Sequence, residues 1–271
     1  MDSNLLDENE EDILETVLEA VDDELIVVNP SATTLEELID VATDAESVPQ
    51  IRLLGDESVL KAVMGDFLVA SNAADLISDD RLALRTLADG SENSLLVTPE
   101  LVVALIDVGD AMAGLTSTDE AFVEAAYDAY STRWDDAEEF RLRTPPLSAV
   151  KTTLSEEIGE DVETDFTSVL GSLQTARGDG EGLDEVTISL LVAAKNEVLL
   201  YDISKWGEDV GIASKATFSR TKTRLEDMGL IDTEKVPIDV GRPRLRLKFG
   251  DDRLREADAD QLASVAQTLL N

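Results

Sequence analysis

The chain has 271 residues, 43% hydrophobic but only 4% aromatic, which is enough for two domains with cores of Leu, Val, Ile and Ala. It contains no Cys and no His, which excludes disulfides, thiolate or imidazole metal sites and imidazole acid–base catalysis. A net charge of −37 would alone suggest disorder, yet the apolar residues recur periodically, so the acid excess reads as a solvated surface suited to molar salt, where self-repulsion is screened.

Residues 4–21 carry Leu5, Leu6, Ile13, Leu14, Val17, Leu18 and Val21, an amphipathic helix with an acidic outer face. ELIVV at 24–28 reads as a buried strand ended by Asn29-Pro30-Ser31, and 33–42 as a helix opened by a Thr cap and an acidic turn. QIRLLG at 50–55 is a second strand, and 56–76 one long helix or a pair. Apolar runs follow at 81–87, 93–98 and 101–108, joined by Asp89-Gly90 and Pro99-Glu100, and a helix over 118–137 closes the region. Helices alternating with strands, then a meander, predict a mixed α/β sheet with helices on its faces. Asp56, Glu57, Asp66 and Asp75 could be read as a carboxylate site for a glycosidase or a metal. In a chain with 59 Asp and Glu such clusters arise by chance, so no catalytic residue, metal or cofactor is expected.

FRLRTPP at 140–146 ends this domain, because two prolines deny helix continuation. Beyond it, 147–158 and 160–176 read as amphipathic helices broken at Gly159. RGDGEGLDE at 177–185 alternates acids with glycines but lacks the spacing of a calcium loop and its terminal bidentate Glu, so it reads as a linker. The expected domains are 1–140, an α/β sensor or assembly domain; 141–182, a helical linker; 183–250, a mainly α winged helix-turn-helix; and 251–271, a C-terminal helix.

The winged-helix reading rests on consecutive pieces. Residues 185–196 form a first helix and 198–200 a small edge strand. YDISKWGEDVG at 201–211 places Ile203, Trp206 and Val210 at helical spacing, with Gly211 to end the helix in a left-handed turn. Ser214 caps a second helix, SKATFSRTKTRLEDMG at 214–229, with Phe218, Thr221, Leu225 and Met228 facing inward. Its other face holds Lys215, Thr217, Ser219, Arg220, Lys222, Thr223 and Arg224, cations and short hydroxyls of the kind that reach bases and phosphates. LIDTEKVPIDVGRPRLRLKF at 230–249 then gives two strands joined at Gly241. Leu245, Leu247 and Phe249 lie on one face, Arg244, Arg246 and Lys248 on the other, with Arg242 at the tip. The charge count agrees: 1–183 hold 9 Lys and Arg against 43 Asp and Glu, whereas 215–248 hold 9 against 5. The candidate DNA-binding residues are therefore Ser214, Lys215, Thr217, Ser219, Arg220, Lys222, Thr223, Arg224, Arg242, Arg244 and Arg246.

The order of a helix, a glycine, a Ser-capped basic helix, Met228-Gly229-Leu230-Ile231 and a Gly241-Arg242-Pro243 hairpin is similar to the winged-helix domains of bacterial and archaeal transcription regulators. The whole chain, from SNLLDENEEDILE through FLVASNAADLI and EFRLRTPP to the wing, resembles the TbsP-type transcriptional regulators of haloarchaea. That resemblance implies a DNA-binding regulator of central carbon metabolism and names no catalytic residues. The N-terminal pattern also resembles the phospholipase-D-like sensor half of TrmB-type archaeal regulators. The phospholipases need a His-x-Lys motif that a chain without His cannot carry, so a shared fold would serve binding.

The implied partner is double-stranded promoter DNA, with a small metabolite as candidate ligand of the N-terminal domain. The alternative is a winged-helix protein-interaction module that does not bind DNA; an enzyme is disfavoured by the absence of His and Cys. The stripe Leu254, Leu262, Val265, Ala266 and Leu269 suggests either a homodimer or packing on its own domain. No apolar run of about 18 residues exists and the N-terminus is acidic, so no membrane span or signal peptide is expected, and the setting implied is a haloarchaeal cytoplasm.

Overall fold

A computed structural model describes residues 4–7, 10–21, 23–87, 93–107, 112–173, 183–237 and 243–270. The chain divides into two units, one of Met1–Met64 with Asn72–Leu142, the other of Gly65–Ser71 with Arg143–Asn271.

The first unit is built on β1 (Asn4–Asp7), α1 (Glu10–Ala20), β2 (Glu24–Val28), α2 (Ala32–Asp44), β3 (Gln50–Gly55), α3 (Glu57–Val63), the later part of α4 (Phe67–Ser78), β4 (Leu82–Thr86), β5 (Ser94–Val97), β6 (Val102–Asp107), β7 (Met112–Ser117), α5 (Glu120–Asp136) and β8 (Glu138–Glu139). Its sheet runs β1-β7-β6-β5-β2-β3-β4-β8. β2, β3 and β4 are parallel and the other pairings antiparallel, which is the mixed sheet expected from the sequence. Leu25, Ile26, Val27 and Val28 are all fully buried, as an inner strand covered on both faces requires. On one face α5 packs Val123 and Trp134 with Ile26, Val28, Leu54, Val97 and Val102.

The sequence reading needs correction at several places here. Residues 4–7 are not helix: they pair with β7, and the helix starts at Glu10. The second helix is capped two residues earlier than Thr33, by Ser31, whose hydroxyl accepts from the Thr34 N–H at 3.0 Å. Of the two readings of 56–76, a long helix or a pair, the pair is formed, its first helix capped by Asp56. β7 was not expected, because MAGLTS has little apolar alternation; its backbone is held between β1 and β6 on both edges. Of the four acids weighed as a carboxylate site, Asp56 and Asp66 serve the backbone and Glu57 pairs with Lys61. The Asp56 carboxylate accepts from the Ser58 and Val59 N–H groups and buried Asp66 accepts from Leu68 N–H, and among the described residues no group of carboxylates could hold a metal.

The second unit contains α6 (Leu147–Glu157), α7 (Glu160–Gly171), α8 (Glu185–Lys195), α9 (Leu200–Val210), α10 (Lys215–Asp227), β9 (Ile231–Val236), β10 (Arg244–Phe249), α11 (Asp252–Glu256) and α12 (Ala259–Leu270). One apolar core unites them. α6 and α7, read as a linker, contribute Val150, Leu154, Val162, Phe166, Val169 and Leu170 to it. Phe67 lies in the same core, and the buried Ser71 hydroxyl donates to the Pro145 carbonyl at 2.8 Å. The C-terminal stretch is two helices, and the α12 stripe lies against α7, with Leu254, Leu262 and Ala266 buried. Leu262 and Ala266 are thus covered within their own unit, while Val265 and Leu269 are half-buried. The stretch 177–185, read as a linker, lies outside the described residues over 177–182. Among the described residues no helix is long and apolar enough to cross a membrane.

Candidate nucleic-acid interface

α8 is the central post of the winged helix, buried from Val186 to Ala194 and capped by Asp184, which accepts from Thr187 N–H at 2.6 Å. α9 packs Ile203 and Trp206 inward, and the Trp206 indole N–H donates to Thr153 on α6 at 3.0 Å. Gly211, at φ +95°, ends α9 in the left-handed region that glycine adopts at low cost. Ser214 then caps α10 by accepting from the Thr217 N–H at 3.2 Å. α9 and α10 meet at Gly207, where a Cβ would stand 2.4 Å from two ring atoms of Phe218, so only glycine permits this approach.

α10 keeps Phe218 and Leu225 fully buried and Thr221 half-buried. Met228, expected on the same stripe, is 44% exposed: the helix stops at Asp227, so Met228 sits on its C-cap and turns outward. Ser214, Ser219, Arg220, Thr223 and Arg224 are exposed, and Lys215, Thr217 and Lys222 half-buried. Arg220 donates to the Thr217 hydroxyl at 3.3 Å, and Arg224 reaches back to Thr187 on α8 at 3.2 Å. Lys222 turns toward the wing. It pairs with Glu226 at 2.7 Å with its side chain only 12% exposed, and Glu226 also accepts from Thr233 on β9 at 2.8 Å.

β9 and β10 form an antiparallel ribbon with Leu247 and Phe249 buried and the basic residues on the opposite face. Residues 198–200 contribute one bridge, Leu199 to Arg246, where a short strand was expected. Arg242 and the Gly241 turn lie outside the described residues. The cations of β10 face acids. Arg244 lies 3.3 Å from Asp202 and stacks over the Tyr201 ring at 4.5 Å; Arg246 lies 3.9 Å from Glu197; Lys248 is 2.6 Å from Glu234 and 3.9 Å from Glu197. On α10 the Lys215 ammonium pairs with Glu208 across the turn. Hydrogen bonding to Glu208 holds the Lys215 ammonium above its ordinary pKa, and the same bond holds the Glu208 carboxyl below its own; Lys248 and Glu234 shift likewise through theirs.

Sequence reasoning found the cations but missed these acids. Only Glu226, four residues after Lys222 on one helix, was open to pattern reading. Glu197, Asp202, Glu208 and Glu234 meet their partners through the fold.

This helix and ribbon fall within residues 146–267, which match the model "Transcriptional regulator TbsP-like, C-terminal HTH domain", and residues 2–145 match "Transcriptional regulator TbsP-like, N-terminal". No curated protein matches the chain significantly. Among solved structures the chain is similar to TrmBL2, an archaeal chromatin protein described as showing a novel mode of DNA binding, at 16% identity and a TM-score of 0.38. That likeness covers 51% of this chain and 54% of TrmBL2, so it spans about half the length of that protein. A second is Nuc, a phospholipase D family member from Salmonella typhimurium, at 10% identity and a TM-score of 0.34, covering 48% of this chain and 89% of that one. Both scores are too low to bear on function. With both halves matched by one family's models and the helix-turn-helix formed as described, the chain belongs to the TbsP-like transcriptional regulators.

Proposed function

We propose that this regulator binds promoter DNA sequence-specifically, with α10 in the major groove and the β9–β10 wing on the phosphate backbone, and that it controls genes of central carbon metabolism. The observation that carries the reading is the exposed row Ser219, Arg220 and Thr223 on a helix whose inner face is locked by Phe218 and Leu225. Arginine at such a position can bond guanine bidentately, worth about 1 to 3 kcal/mol against a wrong base. Ser219 joins Arg220 as a base reader in this reading, while Ser214, Lys215, Thr217, Arg224, Arg244, Arg246 and Lys248 position the module on phosphates. Binding as a homodimer to two half-sites follows the two-fold logic of such modules. In the first unit, a groove of about 540 Å³ beside β4, lined by Asp80, Arg85, Trp134, Glu139 and Arg141 among others, is the candidate place for a small metabolite. The acidic surface suits a haloarchaeal cytoplasm.

The test is selection of binding sites from a random duplex pool in molar potassium chloride, with the parent protein and with Arg220→Ala. The parent should recover a two-fold related sequence, and the variant should lose preference at one base pair per half-site. Identical preferred sequences would show that Arg220 reads no base. The second reading, an interaction module that leaves DNA alone, draws on the carboxylates held by the wing cations, and recovery of no sequence by the parent would favour it.

A further inference from the structure

Four cations of the proposed DNA face are already partnered inside the chain. Lys215 holds Glu208, Arg244 holds Asp202, Arg246 holds Glu197, and Lys248 holds Glu234 and Glu197. These are surface pairs: the cationic side chains are 38–43% exposed and the carboxylates 39–57%. Glu197 adopts φ +51° in the turn between α8 and α9, uncommon for a residue with a Cβ, and from there its carboxylate faces both Arg246 and Lys248. A phosphate approaching any of these cations meets a carboxylate on the same guanidinium or ammonium.

We propose that DNA binding by this face is an exchange of partners: phosphates take Lys215, Arg244, Arg246 and Lys248 from Glu208, Asp202, Glu197 and Glu234, and the freed carboxylates take up potassium ions from solution. The proposal rests on the DNA-binding reading above. Charge balances at each step, since the phosphate releases its condensed counterion when it gains the protein cation, and the abandoned carboxylate gains a counterion.

An ordinary basic DNA-binding face releases counterions without replacement, so log K falls with log salt by about 0.9 per phosphate neutralised. On one module, four such contacts would contribute about −3.6 to the slope. Uptake of one potassium ion by each freed carboxylate would bring that contribution close to zero. This face would keep its affinity in salt concentrations that strip an ordinary basic face from DNA.

The test uses the full-length protein and the duplex that it selects from a random pool, titrated with potassium chloride by fluorescence anisotropy. The parent slope should be shallow or rising. Glu208→Gln, Asp202→Asn, Glu197→Gln and Glu234→Gln should each make it more negative by up to about one, and the four together should give a steep fall. Glu57→Gln, which breaks the exposed pair with Lys61 at 2.6 Å in the first unit, should leave the slope unchanged. All four positions are at least 39% exposed, so these variants should fold, which circular dichroism at each salt concentration would verify. A parent slope of about −3.6 or steeper per bound module, or substituted proteins with the parent's slope, overturns the exchange while leaving DNA binding intact. No binding at any salt, by parent and variants alike, overturns the DNA-binding reading itself and the exchange with it.

Discussion

At Gly207 a single missing methyl group sets the angle of the helix-turn-helix. Phe218 is fully buried, so its ring has no empty space to enter if a Cβ is added 2.4 Å away. Gly207→Ala should therefore cost about 1 to 3 kcal/mol through overpacking and lower the thermal midpoint. Phe218→Leu should recover part of that loss in the double variant, because the two residues share one contact and their effects should not add. Strict additivity would mean that the two helices approach elsewhere. This contact was not legible in the sequence. Gly207 lies inside an apolar-periodic helix, where glycine looks like a local weakness, and only the packing of α10 shows its use. Arg220 is the contrary case, because a cation lying off the inward stripe of Phe218, Thr221 and Leu225 is visible in the letters alone.

α10 shows which parts of an element its sequence can define. Its start was legible because the cap is local: Gly211 ends α9, and Ser214 accepts from the Thr217 N–H. Its end was less so, since the choice between continuing through Met228 and stopping at Asp227 depends on Leu230 and Ile231 leaving to join the core and β9. β7 and β1 were misread for a related reason: strand pairing supplied by neighbours overrides weak local preference. The cap also separates folding from binding. Ser214→Ala should destabilise the protein by about 1 kcal/mol. Ser214→Asp keeps an acceptor at the helix start and should leave the thermal midpoint near the parent's, yet it places a negative charge where a phosphate would sit, so DNA affinity should fall clearly. Equal affinity for Ser214→Asp and parent would move the phosphate away from the α10 N-terminus.

Across the whole molecule the acid is unevenly spread, with 34 of the 37 net negative charges in residues 1–183, and the sequence located the basic window correctly. It did not reveal how the chain is shared between units. A domain read from sequence is a contiguous stretch, whereas the second unit takes Gly65–Ser71 from within the N-terminal half. Those residues look like any amphipathic helix start, and nothing local says which core they enter. Phe67 is 5% exposed in the core that also holds α8, and Ser71 is bonded to Pro145. A buried Phe replaced by Ala usually costs about 3 to 5 kcal/mol. Phe67→Ala should therefore loosen the winged-helix unit although it lies far from it in sequence: amide hydrogen exchange in α8 should quicken, while β2 and β3 amides stay protected. The full-length protein is the right object for this measurement, because a fragment beginning at Arg143 would lack the residues in question. Faster exchange confined to β2 and β3, with α8 unchanged, would assign Phe67 to the first unit's core and return residues 65–71 to the N-terminal domain.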